Sequence, residues 1–499
     1  MRITNKIMQN NSLYNLNNNK LLQDKLNTQM STYKKITKPS DDPVIAIRAL
    51  RLRSTLSEVT QLYEKNIPDA ASWLEVTEGA LSSITDIVED LIDKSRDGSN
   101  GKLETKDRLK IIEQMKALRE EIYATGDADY AGRSLFTGYR TGTKLRFQDE
   151  TTAHYKITEK LTKAAIDTIL HVDNAGVDAV NTTNYDTTVI TEQQVSSAKM
   201  DRIRLAYDNL DGVIPTVSYE DADGNAQTVT PTVSTSEDQA YRDMAAINAA
   251  SPVAEKAIFI AETGELLLSD SLSKKLQALS KETEISISYE KTNWERYALR
   301  PEHYFVCEDV TNGIVYDTPS SEQEIEYSVG FNQRLRINST AAEAYTHDIG
   351  RDVDELVKLS QQVIDLENLV STLETVISTE SDKTKQAAAQ KNLDAANKAL
   401  TLLRDEKLQY TFENRITSMQ GYLDQTSLAI TNCGTRSARL ELVEVRLQSQ
   451  QTSFKTLVSE NEDVDITQVA IELESSNVSY NAALMATGKV VQKSLLDFL

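Results

Sequence analysis

Residues 348–379 read DIGRDVDELVKLSQQVIDLENLVSTLETVIST. Leu356, Val363, Val370 and Ile377 recur every seven positions, and Leu359, Leu366 and Leu373 form a second row beside them. Two such rows put apolar side chains on one narrow seam of a helix, the pattern of a coiled coil. Thr379-Glu380-Ser381-Asp382 predicts a turn, after which a second stripe runs through Leu393, Leu400, Leu403, Phe412, Ile416, Met419 and Leu423. A short turn between two such stripes predicts an antiparallel helical hairpin. The pattern resumes at Leu440, Val443, Leu447, Phe454 and Leu457 and breaks at Glu460-Asn461-Glu462-Asp463. A last helix then carries Ile466, Val469, Leu473, Tyr480, Leu484, Val491, Leu495 and Phe498, an apolar stripe that needs covering.

The N-terminal end is of the same kind. Residues 1 to about 38 are rich in Asn and Gln, with sparse apolar anchors at Ile3, Ile7, Tyr14, Leu21, Leu22, Leu26 and Met30. This predicts a weak helix that gains order by meeting a partner. Lys38-Pro39-Ser40-Asp41-Asp42-Pro43 follows: Asp42 suits a helix cap, Pro43 the first turn, and Asp41 and Asp42 the positive end of the helix dipole. A long helix is predicted from about Val44 to Asp97, with Leu74, Leu81 and Val88 seven apart, and the run Asp97-Gly98-Ser99-Asn100-Gly101 ends it. A further helix carries Ile111, Met115, Leu118 and Ile122, and residues 130–143 read as loop and turn.

From about Lys144 to Asn338 the texture changes. Leu145-Arg146-Phe147, Ile285 to Tyr289, Tyr304-Phe305-Val306 and Ile325 to Val329 read as strands. Asp221-Ala222-Asp223-Gly224-Asn225 reads as a hairpin turn, and short helices are predicted at Glu192 to Leu210 and Glu237 to Ala250. The fold class is therefore mostly α: an elongated helical bundle built from both chain ends, with an inserted mixed α/β outer domain. The expected division is 1–40 with 460–499 as a terminal coiled-coil segment, 41–140 with 345–459 as a helical core, and 141–344 as the insert.

Composition narrows the function. At 499 residues the chain is too long for a single core. Seventeen Gly and eight Pro are few for this length and favour long helices. Lys and Arg total 54 against 76 Asp and Glu, a net charge of −22, which argues against nucleic-acid binding. Two cysteines, Cys307 and Cys433, build no disulfide framework. Neither a cleaved signal peptide nor a membrane span is read from the sequence, and the scarcity of cysteine suits either a reducing cytoplasm or an exported protein; if the protein leaves the cell, it does not use the usual signal-peptide route.

Chemistry is scarce. His154, His171, His303 and His347 have no metal spacing with cysteines, and the four-residue separation of His303 from Cys307 reads as structural. Asp221 opens a calcium-like run, but the twelfth position is Thr232 rather than Glu. Asn338-Ser339-Thr340 fits a glycosylation sequon by pattern alone. No catalytic residues, metal ligands or cofactor are expected, and the chain reads as a non-enzyme.

Five segments in order resemble the flagellin superfamily, and within it the hook–filament junction proteins: Met1-Arg2-Ile3-Thr4-Asn5, Lys38-Pro39-Ser40-Asp41-Asp42-Pro43-Val44, Leu135-Phe136-Thr137-Gly138, Gly434-Thr435-Arg436-Ser437-Ala438-Arg439-Leu440-Glu441 and Ser494-Leu495-Leu496-Asp497-Phe498-Leu499. Tyr33 departs from the pattern, standing near where relatives often have Gly. The resemblance implies a structural adaptor of the bacterial flagellum, extracellular once exported, forming a ring with itself. Its partners would be an adjoining hook-associated protein, flagellin and a cytoplasmic export chaperone, with no nucleic acid and no membrane insertion. It implies an assembly interface of Ile3, Ile7, Tyr14, Leu21, Ile466, Val469, Leu473, Tyr480, Leu484, Val491, Leu495 and Phe498. The rival readings are a filament flagellin subunit, an enzyme or binding module carried in the insert, and a general coiled-coil scaffold.

Overall fold

The structure is a computed structural model that describes residues 5–221, 224–234, 236–319 and 322–496. Four helices open the chain: α1 (Asn5–Thr32), α2 (Pro43–Gln61), α3 (Ile67–Gly98) and α4 (Thr105–Thr125). A π turn, Leu62–Asn66, carries α2 into α3, so the long helix expected from about Val44 to Asp97 is two α segments joined without a break. A small hairpin of β1 (Asp129–Tyr130) and β2 (Arg133–Ser134) sits within the stretch read as loop.

The middle of the chain runs β3 (Tyr155–Leu161), β4 (Ile166–Asp173), β5 (Ser196–Arg204), β6 (Thr216–Glu220), β7 (Ala226–Val229), β8 (Thr232–Ser234), α5 (Glu237–Ala249), β9 (Ala257–Ile260), β10 (Glu265–Leu268), α6 (Asp270–Gln277), β11 (Ile285–Lys291), β12 (Val306–Asp309), β13 (Ile314–Tyr316), β14 (Glu326–Gly330) and β15 (Gln333–Arg336). Helix then returns as α7 (Ala341–Ala344), α8 (His347–Thr379), α9 (Lys383–Thr401), α10 (Gln409–Glu462) and α11 (Ile466–Leu496), with a second π turn, Leu402–Leu408, before α10. The chain is thus mostly α-helical, with long helices at both ends and β-sheet inserted between them.

Two compact units divide it. One comprises residues 1–70, 327–335 and 438–499, and the other residues 71–326 and 336–437.

The larger unit holds two sheets. The six-stranded sheet has the order β13-β12-β3-β11-β6-β7, antiparallel throughout. β11 buries Ile285, Ile287 and Tyr289 on one face, the alternation of a half-buried strand. The five-stranded sheet has the order β4-β5-β10-β9-β8, antiparallel except for the β8–β9 pair. In it Leu266 faces Phe259 across β10 and β9, both fully buried. The Asp221 turn joins β6 to β7 as a hairpin, with Gly224 N–H donating to the Asp221 carbonyl at 3.0 Å; residues 222 and 223 lie outside the described residues.

Three local expectations need correction. Residues 192–210 are not a helix: a 3-10 turn at Glu192–Gln194 leads into β5. β5 pairs with β4 along eight residues on one side and with β10 on the other, and that two-sided ladder outweighs a weak helical preference. Leu145-Arg146-Phe147 forms no strand but a single bridge, Arg146 to Leu299. Strand β12 begins only at Val306, because residues 301–303 form a 3-10 turn.

The helices of this unit close on an apolar seam. On α8, Leu356, Leu359, Val363, Leu366 and Leu373 are buried, packed toward α4 and α9. On α3, Leu74, Leu81, Ile84, Val88 and Leu91 are buried without exception. Tyr123 of α4 ties the start of α8: its hydroxyl donates to the Thr346 carbonyl at 2.7 Å and accepts from Gly350 N–H at 2.9 Å. A Cβ at Gly350 would stand 2.7 Å from that hydroxyl, so the approach requires glycine. Asn338 is fully buried, accepting from Ile325 N–H and donating to the Gln323 carbonyl, both at 2.8 Å, so its sequon is closed to a glycosyltransferase in the folded chain.

One buried carboxyl makes this unit sensitive to pH. Glu159 of β3 is 2% exposed and accepts from the Tyr289 hydroxyl and, at 2.9 Å, from Ala206 N–H. Burial outweighs both hydrogen bonds and pushes its pKa up from 4.5 to about 7. The folded chain therefore holds a proton that the unfolded chain releases between those values. Stability is greatest below about pH 4.5 in respect of this group, falls as pH rises toward 7, and is level above. Glu159→Gln fixes the uncharged form. It is expected to recover about 2–3 kcal/mol at pH 8 and little at pH 4.5, measured by urea denaturation at both.

Candidate assembly surface

The smaller unit begins from α1, whose Asn- and Gln-rich sequence lacks a full apolar face. Such a helix needs a partner to persist, and α11 supplies it: the two pack together, with Leu26 and Val469 buried and Gln23 Nε2 donating to Asn477 Oδ1. The turn after α1 is stitched to the turn before α11. Lys35 N–H donates to the Glu462 carbonyl at 2.7 Å, Val464 N–H donates to the Tyr33 carbonyl at 3.1 Å, and Lys34 Nζ meets Asp463 at 2.5 Å. Arg53 of α2 pairs with the buried Glu462. Tyr33 sits at φ 57°, the left-handed region that glycine enters without cost.

The Ser40-Asp41-Asp42-Pro43 segment lies between α1 and α2. Asp42 Oδ1 accepts from Val44 N–H at 2.9 Å and Ile45 N–H at 3.1 Å, and Pro43 takes the first helical position. Asp41 Oδ2 accepts from Lys38 N–H at 2.9 Å and Thr37 N–H at 3.1 Å, and these backbone donors hold its pKa below the ordinary value. Ser40 is exposed.

The residues named from sequence divide in two. Val469 is buried against α1, and Leu473 and Tyr480 are half-buried. Ile7, Tyr14 and Leu21 face solvent at 51, 67 and 69% exposure, and Ile466 and Leu484 are exposed as well. Ile3 and Phe498 lie outside the described residues, as do the side chains of Val491 and Leu495.

The structure adds a row that the sequence reading passed over. Ile471, Val478 and Met485 of α11 stand seven apart and are 66, 62 and 72% exposed. The seven-residue spacing was the available signal. On α2, Val44, Ile47 and Leu50 form a third exposed stripe, and on α10 Leu442 and Val445 a fourth. Each fourteen-residue row spans about 21 Å of helix. Apolar rows of this length, exposed on a helix pair, are the kind of surface that can bury against further helices.

Burial pushes the Cys307 thiol up to about 12 and the His303 imidazole down to about 3, so both stay uncharged near neutral pH. Among the described residues no group of three or more His, Cys, Asp or Glu could hold a metal ion, and no helix is long and apolar enough to cross a membrane.

Residues 3–141 match the family described as the bacterial flagellin N-terminal helical region. Flagellar hook-associated protein 3 of Salmonella typhimurium is 29% identical over 168 residues, covering 34% of this chain and 52% of the relative. The protein of the same name from Escherichia coli is 29% identical over 144 residues, covering 29% and 45%. The chain thus spans about half the length of the curated relatives it matches. A solved structure of hook-associated protein 3 from Legionella pneumophila is 10% identical, covers 82% of this chain and 97% of its own, and superposes with a TM-score of 0.29. Residues 3–141 thus resemble the N-terminal helical region of bacterial flagellin, and part of the chain is similar to flagellar hook-associated protein 3.

Proposed function

We propose that this protein is a structural subunit of the bacterial flagellum that joins the hook-associated ring to the flagellin filament. The observation that carries the reading is the pair of open heptad rows, Ile7/Tyr14/Leu21 on α1 and Ile471/Val478/Met485 on α11. Helices with filled seams and bare outer rows are stable partners for more helices, and burial of each large side chain is worth about 1.5–3 kcal/mol. Segments 1–40 and 460–499 act as the assembly element, 41–140 and 345–459 as the helical core, and 141–344 as an outer domain. The subunit works without catalysis. It leaves the cell without a cleaved signal peptide, held by a chaperone that covers the α11 rows before export. Outside, it docks onto itself in a ring, onto an adjoining hook-associated protein and onto flagellin.

The names of its relatives support this over the filament-flagellin alternative. Electron microscopy of a deletion strain tests it. Hooks should remain intact while flagellin is lost to the medium. Filaments that still grow from the hook, or antibody labelling along the whole filament in the parent strain, would overturn it.

A further inference from the structure

Each helix of the α1–α11 pair carries its bare row on the edge opposite its seam. On α1 the seam holds buried Leu26 with half-buried Leu16 and Gln23, and Ile7, Tyr14 and Leu21 lie on the far side of the helix. On α11 the seam holds buried Val469 and Ser476 with half-buried Tyr480, and Ile471, Val478 and Met485 lie likewise on the far side. The two rows therefore face in opposite directions, and one chain cannot close them on each other.

The pairing within the chain fixes their heights. Gln23 meets Asn477 and Lys34 bridges Asp463, so the helices run antiparallel in a set register. Stepping from these ties at about 1.5 Å per residue, Leu21 comes level with Val478, Tyr14 with Met485 and Lys25 with Glu474, each to within about 3 Å. The match extends to charge. Lys25 follows Leu21 by one helical turn and Glu474 precedes Val478 by one, so each charge flanks its row at the same height. Both are exposed, and neither has an ion-pair partner among the described residues. Around Leu21, α1 carries Lys20 and Lys25 against Asp24, while the first half of α11 carries Glu472 and Glu474 and no cation; its lysines, Lys489 and Lys493, stand toward the other end.

We propose that the α1 row of one copy packs on the α11 row of the next, with Leu21 against Val478, Tyr14 against Met485 and Lys25 beside Glu474. The occupant of each row is a second copy of this chain, set side by side with the first at one level. The contact is head-to-tail, its two faces being different surfaces. Antiparallel pairing of α1 with α11 thus continues from within a chain to between chains, as a wall of alternating helices. This rests on the assembly reading and adds which row meets which, and in what register.

The test is oxidative cross-linking in intact flagella. The two rows of one chain stand at least about 12 Å apart across the helix pair, beyond the roughly 7 Å between Cα atoms that a disulfide spans, so any bond joins two copies. Leu21→Cys with Val478→Cys, and Tyr14→Cys with Met485→Cys, should each give a ladder of linked multimers. Leu21→Cys with Met485→Cys, mismatched by about 10 Å, should give none. Independently, Lys25→Glu or Glu474→Lys alone should lower recovery in sheared flagella at least about threefold, and the two together should restore it. Three results would overturn the proposal: multimers from the mismatched pair in place of the matched ones, a charge exchange that recovers no better than the single changes, or rows shielded from maleimide in flagella without multimers from either matched pair. The last would keep the assembly reading and give the rows to another flagellar protein. Rows that label freely in intact flagella would overturn the assembly reading and this inference together.

Discussion

Replacing Glu355 by alanine is expected to destabilise the larger unit by about 3–5 kcal/mol, among the largest effects of any single change in this chain. Glu355 of α8 stands at the centre of a buried ion network. Arg202 Nη2 reaches one of its oxygens at 2.5 Å, and Arg204 Nη1 and Arg415 Nε both reach the other at 3.1 Å. Asp352 takes Arg204 at 2.5 Å and Arg415 at 3.3 Å, and Asp167 pairs with Arg202 and Arg415. Tyr422 and Tyr241 donate to Asp352 and Glu265 at 2.9 and 2.6 Å.

Burial alone would raise the Glu355 pKa, but Arg202, Arg415 and Arg204 together hold it well below the carboxylate range. Its contribution is thus complete above the unfolded value near 4.5 and is lost only in strong acid. Alanine leaves three buried guanidinium groups short of an anion, and that uncompensated charge is the source of the penalty. Urea denaturation of the full chain at pH 7 measures it. A loss below about 1 kcal/mol would mean that the arginines re-pair with Asp167, Asp352 and Glu265.

Removal of residues 466–499 is expected to abolish incorporation into the flagellum while leaving the larger unit folded. That unit, residues 71–326 and 336–437, takes nothing from α11. A finer version keeps the helix and changes its outer face. Val478→Asp on α11 or Leu21→Asp on α1 replaces a side chain that is 62 or 69% exposed, so monomer stability should change by less than about 0.5 kcal/mol. In the assembly, the same charge would have to be buried between subunits. Desolvating an unpaired carboxylate costs several kcal/mol, enough to lower incorporation more than tenfold. The readout is the amount of variant recovered in sheared flagella. Wild-type recovery would show that those rows stay in water after assembly.

These two sites were unequally visible in the amino-acid sequence. The open rows on α1 and the long helices around Leu74 and Leu356 follow from seven-residue spacing, a property of the local chain. The α11 row at Ile471, Val478 and Met485 has the same spacing, but α11 carries several competing apolar registers. Which of them packs on α1 is decided by that helix and not by α11 itself.

The ion network was opaque for a different reason. Arg202 and Arg204 belong to a stretch that reads as helix. Only its pairing with β4 and β10 sets two arginines on one sheet beneath Asp352, Glu355 and Arg415. Charges more than 140 positions apart leave no local pattern. The π turn at Leu402–Leu408 is likewise silent in the sequence, since its residues continue an ordinary helical stripe.

The claim beneath the functional reading is that the outer rows of α1 and α11 are bare in the monomer and covered in the assembled flagellum. Cys307 and Cys433 are both buried, so an introduced thiol reports alone. Leu21→Cys and Met485→Cys, each treated with a maleimide as monomer and as intact flagella, test the claim directly. The account predicts rapid labelling of the monomer and protection after assembly. Equal labelling in both states would contradict it.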